Sequence, residues 1–396
     1  MYKLAIFDGE PRFTEELCVN RPAVGDRSIF LNYVEKMLDS RFFTNSGPMV
    51  RELESKLAKF LDVKHCIITC NGTMALQLIM QALNLKGEVI VPSFTFIASA
   101  HSISWQGLKP VFCDVDIKTN NIDPIVCESL INKNTSAILG VHLWGRPCDT
   151  EQLQLLAEKY NLKLVFDSAH AFGCSHKDKM IASFGDAEAF SFHSTKAFHT
   201  FEGGAVTTNN SELADKIKKL RNFGFVDYDC VDSIGINGKM PEVCAAMGLA
   251  NLKNYPSSLN KSKNIYLEYK KNIVGLKGLN LHTYDEMEKN NYQYIVIDVD
   301  ESIVGLSRDD LIKILHLENV KARKYFHPGC HNMEPYVSSI DKNKLNLLNT
   351  ESLSQRLMVL PAGSSMTIYL VNEIGNLLKN IINQSNAIKN KLEALI

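Results

Sequence analysis

The sequence predicts an α/β protein in two parts. Residues 1–255 form a large domain with a mainly parallel mixed sheet flanked by helices, and residues 256–396 form a smaller α+β domain. Three observations predict this. From His65 onward a strand–turn–helix pattern repeats, which implies βαβ units. Polar residues with chemical potential follow the ends of those strands, where open α/β sheets bind ligands. After about Asn254 the texture changes, with Tyr255-Pro256-Ser257-Ser258 reading as a break.

In chain order, the first ~45 residues read as irregular, with Pro11, Pro22 and Gly25 as punctuation. Gly47-Pro48 then opens a helix whose Val50, Leu53, Leu57, Phe60 and Leu61 share one face. His65 to Cys70 is a buried strand. Asn71-Gly72-Thr73 turns it into a helix with an apolar stripe of Leu76, Ile79, Met80 and Leu83. Further strands run from Glu88 to Val91, Pro110 to Val115, Ala137 to His142 and Leu162 to Phe166, the last ending in Asp167. Glu151 to Tyr160 is helical. In the C-terminal third, Tyr292 to Val299 reads as a strand and Arg308 to Glu318 as a helix.

Composition narrows the function. With 396 residues, 45% of them hydrophobic, there is ample material for a core. A net charge of −1 and a pI near 6.8 give no reason to expect nucleic acid or an anionic membrane as partner. No apolar run reaches transmembrane length, and MYKLAIFDGEPRF is too briefly apolar for a signal peptide. The ten cysteines form no CxxC pair, so they are expected as reduced thiols in the cytoplasm.

The stretch Ala189 to Thr208, AFSFHSTKAFHTFEGGAVTT, holds Lys196 between two apolar strands. Lys196 reads either as a solvated loop lysine or as a Schiff-base lysine facing a cofactor aldehyde. Asn71-Gly72-Thr73 reads as an anion cradle at a helix N-terminus or as a simple helix cap. Asp167 closes a buried strand, so its carboxylate needs a cation or several hydrogen bonds. His170 lies three residues on, as a pocket residue or as a satisfied, partly buried histidine. Phe96 is a core aromatic or a stacking platform, and Ser191, five residues before Lys196, has a hydroxyl that could reach the same anion as Thr73. Asn237 precedes a helix near Pro241 whose small Ala245, Ala246 and Gly248 fit a subunit contact or an internal one. His327, Cys330 and His331 have metal-like spacing but no fourth ligand nearby, so no metal is expected.

A lysine, a buried aspartate, an aromatic plate and a phosphate cradle are the protein's share of pyridoxal phosphate chemistry. The motifs carrying them also resemble those of the DegT/DnrJ/EryC1/StrS family of sugar aminotransferases, from about Asn45 to Pro361. They are NGTMAL, PSFTFIASA, DSAHAFG, SFHSTKAFHTFEGG and GINGKMPEVCAAMGL, in that order. The resemblance implies a fold type I aminotransferase with pyridoxal 5'-phosphate as cofactor. Lys196 would attach the cofactor and shuttle protons, Asp167 would pair with the ring nitrogen, and His170 would lie near the ring hydroxyl. Phe96 would stack, and Gly72, Thr73 and Ser191 would hold the phosphate. Asn237 would reach over from the second subunit of a homodimer with shared active sites. Some relatives are dehydratases with His in place of that lysine; Lys196 points to aminotransfer. The wider family usually has Arg where this chain has Lys239, which keeps the charge without the bidentate fork.

VHLWGRPC, RNFGF, NGKM and YFHPGCHNMEPY are similar to one branch, the C4 aminotransferases of the viosamine and desosamine pathways, which tends to have Lys at that position. This implies a dTDP-4-amino-4,6-dideoxy-D-glucose transaminase, with L-glutamate and dTDP-4-keto-6-deoxy-D-glucose as substrates. Arg146, Lys239 and His327 are its candidate diphosphate or sugar contacts, with a structural ion pair as the alternative for Arg146. The alternatives are amination to the galactose epimer, amination at C3 of a 3-keto isomer, or a non-catalytic, regulatory pyridoxal phosphate protein. A nucleotide-binding Rossmann protein would need a GxGxxG after the first strand, which Asn71-Gly72-Thr73-Met74 does not supply.

Overall fold

The computed structural model describes residues 2–339, 345–363 and 366–394. Its large sheet has seven strands: β1 (His65–Thr69), β2 (Glu88–Pro92), β3 (Lys109–Cys113), β4 (Thr135–Val141), β5 (Lys163–Asp167), β6 (Ala187–Ser191) and β7 (Gly204–Thr208). Their order across the sheet is β1-β7-β6-β5-β4-β2-β3. Strands β2 to β6 pair in parallel. Strand β7 alone runs antiparallel, to both β6 and β1. The loop from β6 to β7 therefore turns back at the carboxyl end of the sheet, and Lys196 sits on it.

Eight helices accompany this part: α1 (Arg27–Ser40), α2 (Pro48–Phe60), α3 (Gly72–Ala82), α4 (Ile97–Trp105), α5 (Pro124–Leu130), α6 (Thr150–Tyr160), α7 (Ser211–Arg221) and α8 (Glu242–Ile273). Alternate strand residues point to opposite faces. Ile67, Val165, Ala189 and Val206 pack with α3, α4 and α7. Their neighbours Ile68, Phe190 and Ala205 pack with α2 and α8, and Leu164 with α5 and α6. Both faces are covered, which is why these strands read as continuous apolar runs.

A second, antiparallel sheet contains β8 (Leu279–Leu281), β9 (Ile295–Val299) and β10 (Leu357–Leu360). It shares a core with the end of α8 and the amphipathic helix Ile368–Asn383. Leu4, Ile6 and Phe13 pack into this same core. The chain start is tied to the C-terminal third in two further places: Leu17–Cys18 pairs in parallel with Val320–Lys321, and Asn20–Arg21 with Ala362–Gly363.

Two features depart from the sequence reading. The N-terminal stretch is not all irregular. Helix α1 is capped by Asp26, whose carboxylate accepts from the Ser28 and Ile29 N–H groups. The Tyr255-Pro256 break, and with it the 255/256 boundary, falls inside the 32-residue α8. Pro256 faces solvent, while Tyr255 is buried and donates its hydroxyl to the Phe172 carbonyl at 3.0 Å. Of the two readings of the small residues of α8, a subunit contact or an internal one, it is the internal contact that these residues make. Ala245 and Ala246 are fully buried, and a Cβ on Gly248 would lie 2.7 Å from Leu53 Cδ2 and 2.8 Å from Thr200 Cγ2. The expected helix α2 starts at Pro48, and its first turn is completed from afar. The buried carboxylate of Glu242 accepts from the Met49 and Val50 N–H groups at 2.8 and 3.2 Å.

Candidate functional site

At the carboxyl ends of β4, β5 and β6 lies a cavity of about 670 Å³. Seven of the expected residues line it: Gly72, Thr73, Phe96, Asp167, His170, Ser191 and Lys196. They follow the carboxyl ends of β1, β2, β5 and β6; β5 and β6 are adjacent at the centre of the sheet, with β1 and β2 each one strand further out.

The anion cradle is the start of α3. Asn71 caps the helix, its side-chain oxygen accepting from the Met74 N–H at 2.8 Å. The N–H groups of Gly72 and Thr73 precede any intrahelical acceptor. Backbone packing here is tight. A Cβ on Gly72 would meet Ser191 Cβ at 2.9 Å, and one on Gly204 would meet the Asn71 carbonyl carbon at 2.5 Å. Glycine at both positions lets α3 sit directly against β6 and β7, which brings Ser191 beside the first turn. The cap is formed, and the Gly72 and Thr73 N–H groups beside it are left available to an anion.

Asp167 pairs in register with Val141 on one side and Ala189 on the other. It is only 7% exposed. The Ser99 hydroxyl donates to Oδ2 at 2.7 Å and the Ala169 N–H to Oδ1 at 3.1 Å. Burial pushes its pKa up; these two bonds and the charge of Lys196 pull against that. No cation among the described residues forms an ion pair with it. A buried carboxylate with two hydrogen bonds and no ion-pair partner fits a site completed by a cationic ring nitrogen.

His170 is equally buried, and its Nδ1 accepts from the Trp144 N–H at 3.2 Å. Burial, and then Lys196, hold its pKa well below the usual histidine value. The neutral ring therefore carries its proton on Nε2 and can donate from there. Lys196 is half-buried, and burial lowers its ammonium to about 8 while Asp167 acts to raise it. A substantial fraction is then the neutral, nucleophilic amine near pH 8. Phe96 occupies the N-cap position of α4 and remains 57% exposed, so a face is open to the cavity for stacking. Lysine, carboxylate, open aromatic face and helix-end cradle together fit pyridoxal phosphate.

Four expected residues lie outside this cavity wall. Arg146 is turned toward His282 Nδ1, 3.3 Å from Nη1, and the Lys118 carbonyl. His327 Nδ1 lies 3.2 Å from the Ser354 carbonyl. Neither is a cavity contact as expected. Asn237 bridges to Asn222, and Lys239 donates to the Asn222 side chain at 2.8 Å with its ammonium 4.5 Å above the Phe223 ring. His331 and Cys330 also diverge, His331 Nδ1 to the Ser93 hydroxyl at 2.7 Å and Cys330 Sγ to the Thr95 carbonyl at 3.4 Å. Among the described residues, no three His, Cys, Asp or Glu side chains converge as metal ligands.

The sequence reading also missed contributors. Cys18, Val19 and Asn20 reach the wall from the chain start, and Lys321, Arg323, Tyr325 and Phe326 from the C-terminal third. Tyr325 and Phe326 open the very stretch whose histidines were singled out. Ser99 lies one helical turn beyond Phe96 in the stacking motif, a spacing that puts both on one side of α4.

Comparison with known proteins agrees with this chemistry. A dTDP-4-amino-4,6-dideoxy-D-glucose transaminase of Shigella dysenteriae is 38% identical, over 92% of this chain and 98% of that protein. A GDP-perosamine synthase of Vibrio cholerae is 32% identical, over 89% and 95%. The crystal structure of DesI in the presence of its TDP-sugar product superposes with a TM-score of 0.94 at 39% identity, covering 98% of this chain and 99% of that one. The model of the DegT/DnrJ/EryC1/StrS aminotransferase family matches residues 26–379. With the cofactor site built and the match running through nearly all of its length, the chain belongs to the DegT/DnrJ/EryC1/StrS aminotransferase family.

Proposed function

We propose that this protein transfers the amine of L-glutamate to C4 of dTDP-4-keto-6-deoxy-D-glucose, giving dTDP-4-amino-4,6-dideoxy-D-glucose and 2-oxoglutarate. The observation that carries this reading is the 38% identity to the Shigella transaminase over 98% of its length. The cavity agrees, being large enough for a ring system and a sugar and lined by residues that handle amines and anions.

When bound, pyridoxal phosphate supplies the electron sink through which an amine passes from one carbonyl carbon to another. The chain's own residues do the rest. Gly72, Thr73 and Ser191 hold the phosphate, and Phe96 covers the ring. Asp167 would hold a proton on the ring nitrogen, and neutral His170 would be the donor, through Nε2, for the ring hydroxyl. Lys196 would hold the cofactor through Nζ and serve as the group that takes and returns a proton during amine transfer.

A second copy of the chain is part of the proposal. The segment 223–236 exposes Phe225, Val226, Tyr228, Val231 and Ile234, and Phe42, Phe43 and Phe201 are exposed as well. So much apolar surface fits a subunit interface. In a homodimer this segment would carry Asn237 and Lys239 to the partner's cavity, Asn237 to the phosphate and Lys239 to the sugar nucleotide. All ten cysteines are unpaired, and no helix among the described residues is long and apolar enough to cross a membrane. Both fit a cytoplasmic enzyme.

The GDP-perosamine synthase relative favours one competing reading, the same chemistry on a GDP-linked sugar. The test has two steps. Adding glutamate to the cofactor-loaded protein should bleach its visible band, while Lys196→Ala protein shows neither band nor turnover. Offered dTDP- and GDP-linked 4-keto sugars, the bleached protein should regain its colour only with the first. No bleaching would mark a non-catalytic pyridoxal phosphate protein, and recovery with the GDP sugar would transfer the assignment to the second reading.

A further inference from the structure

Both substrates proposed above are anions, a dicarboxylic amino acid and a nucleoside diphosphate sugar, and they enter the same cavity in turn. The cavity wall carries three lysine or arginine side chains among the described residues: Lys196, Lys321 and Arg323. Lys196 is committed to the cofactor. Lys321 is spent on Glu16, at 3.0 Å. The neighbouring cations are spent as well, with Lys324 and Arg308 both on Asp309, at 2.6 and 2.5 Å. Arg323 has no ion pair among the described residues and is exposed toward the cavity.

Its side chain is nevertheless held. The guanidinium carbon lies 4.9 Å from the centre of the Tyr325 ring. That ring stacks on Phe326 at 5.1 Å and 8°. The main chain is pinned to β10 by two hydrogen bonds, Arg323 N–H to the Val359 carbonyl at 3.0 Å and Val359 N–H back at 2.8 Å. Stacking orients the guanidinium plane without consuming its N–H donors. A planar fork held in place with its donors unspent is suited to bidentate capture of a carboxylate or phosphate.

We propose that Arg323 is the cavity's oxyanion-recognition residue, the group that docks a carboxylate or phosphate of the incoming substrate. The inference rests on the reading of this cavity as a transaminase site. Lysine at this position keeps the charge and loses the fork.

The experiment compares Arg323→Gln and Arg323→Lys with the parent as pyridoxal phosphate holoenzymes. Cofactor absorbance should match the parent, because Arg323 is not among the residues assigned to hold the cofactor, and the melting temperature should fall by no more than the loss of one exposed cation–π contact, because the side chain makes no ion pair among the described residues. Titration with dTDP and with glutarate, both inert, measures anion binding without turnover. Arg323→Gln should weaken binding of at least one of them by about 10- to 100-fold, and Arg323→Lys should recover part of it. Loss confined to glutarate assigns the fork to the amino donor, and loss confined to dTDP assigns it to the nucleotide sugar. In the two half-reactions, KM for the matching substrate should rise more than kcat falls. Unchanged affinity for both anions overturns the proposal. A parent that binds both anions yet aminates no sugar would count against the transaminase reading and leave this one standing.

Discussion

The role of Asp167 gives the sharpest prediction, because its effects on activity and on stability have opposite signs. Asp167→Asn keeps the shape and removes the charge. One amide oxygen can still accept from Ala169 N–H or from Ser99, and the amide nitrogen can donate to the Ser99 hydroxyl. A carboxylate beside a cation shifts that cation's pKa by about 1–3 units, or about 1.4–4 kcal/mol. Losing it should therefore lower kcat by about 10- to 1,000-fold, since the ring nitrogen no longer holds its proton. The cofactor-free protein should melt at an equal or higher temperature. There the parent carries a buried charge with no ion-pair partner among the described residues, and burial raises its pKa above the ordinary carboxylate value. A group whose folded pKa is raised binds more protons folded than unfolded, so its contribution to stability falls as pH rises through that window. The melting-temperature advantage of Asp167→Asn should thus widen on going from the acid carboxylate range toward neutrality. The assays are stopped-flow bleaching with glutamate and apoprotein melting across pH. A variant with near-parental rate, or one that melts several degrees lower at neutral pH, would refute the reasoning.

Three further outcomes are expected. Gly72→Ala places a methyl 2.9 Å from Ser191 Cβ and 3.1 Å from its Cα, atoms anchored to β6. It should weaken pyridoxal phosphate binding about 10-fold and lower stability by about 1–3 kcal/mol, measured by cofactor titration and denaturation; parental values for both would show that the cradle is loose. The rate at which apoprotein captures cofactor should climb with pH and level off above about 8, following the neutral form of Lys196; a rate flat from pH 6 to 10 would contradict that titration. Mixing Lys196→Ala with Asn237→Ala protein, each inactive alone, should restore part of the activity if sites are shared between subunits. A fully active monomer by light scattering would end the shared-site proposal.

Much of the site was legible because βαβ architecture converts sequence position into spatial position. Residues following parallel strands converge on one edge of the sheet, so Gly72, Asp167, Ser191 and Lys196 could be placed without knowing the strand order. Other parts were hidden for physical reasons. Helix α1 packs Phe30, Tyr33, Val34 and Met37 against the core, but it also leaves Leu31 and Leu38 exposed at 47% and 56%, which blurs the apolar periodicity in the sequence. Pro256 reads as a break, yet it costs α8 one hydrogen bond on a solvent face while Tyr255 anchors the buried side. The cavity wall from Cys18–Asn20 and Lys321–Phe326 depends on pairing Leu17 with Val320, a contact that no local spacing encodes. Arg146 was read from its charge and its place in VHLWGRPC, which do not reveal that its side chain turns to His282.

The central claim is the reaction, and one measurement meets it directly. Enzyme, pyridoxal phosphate, glutamate and dTDP-4-keto-6-deoxy-D-glucose are incubated together, and the sugar product is assigned by NMR. The account predicts a 4-amino-4,6-dideoxy sugar with an equatorial amine at C4, formed with an equal amount of 2-oxoglutarate. An axial amine at C4, an amine at C3, or an unchanged keto sugar would contradict it.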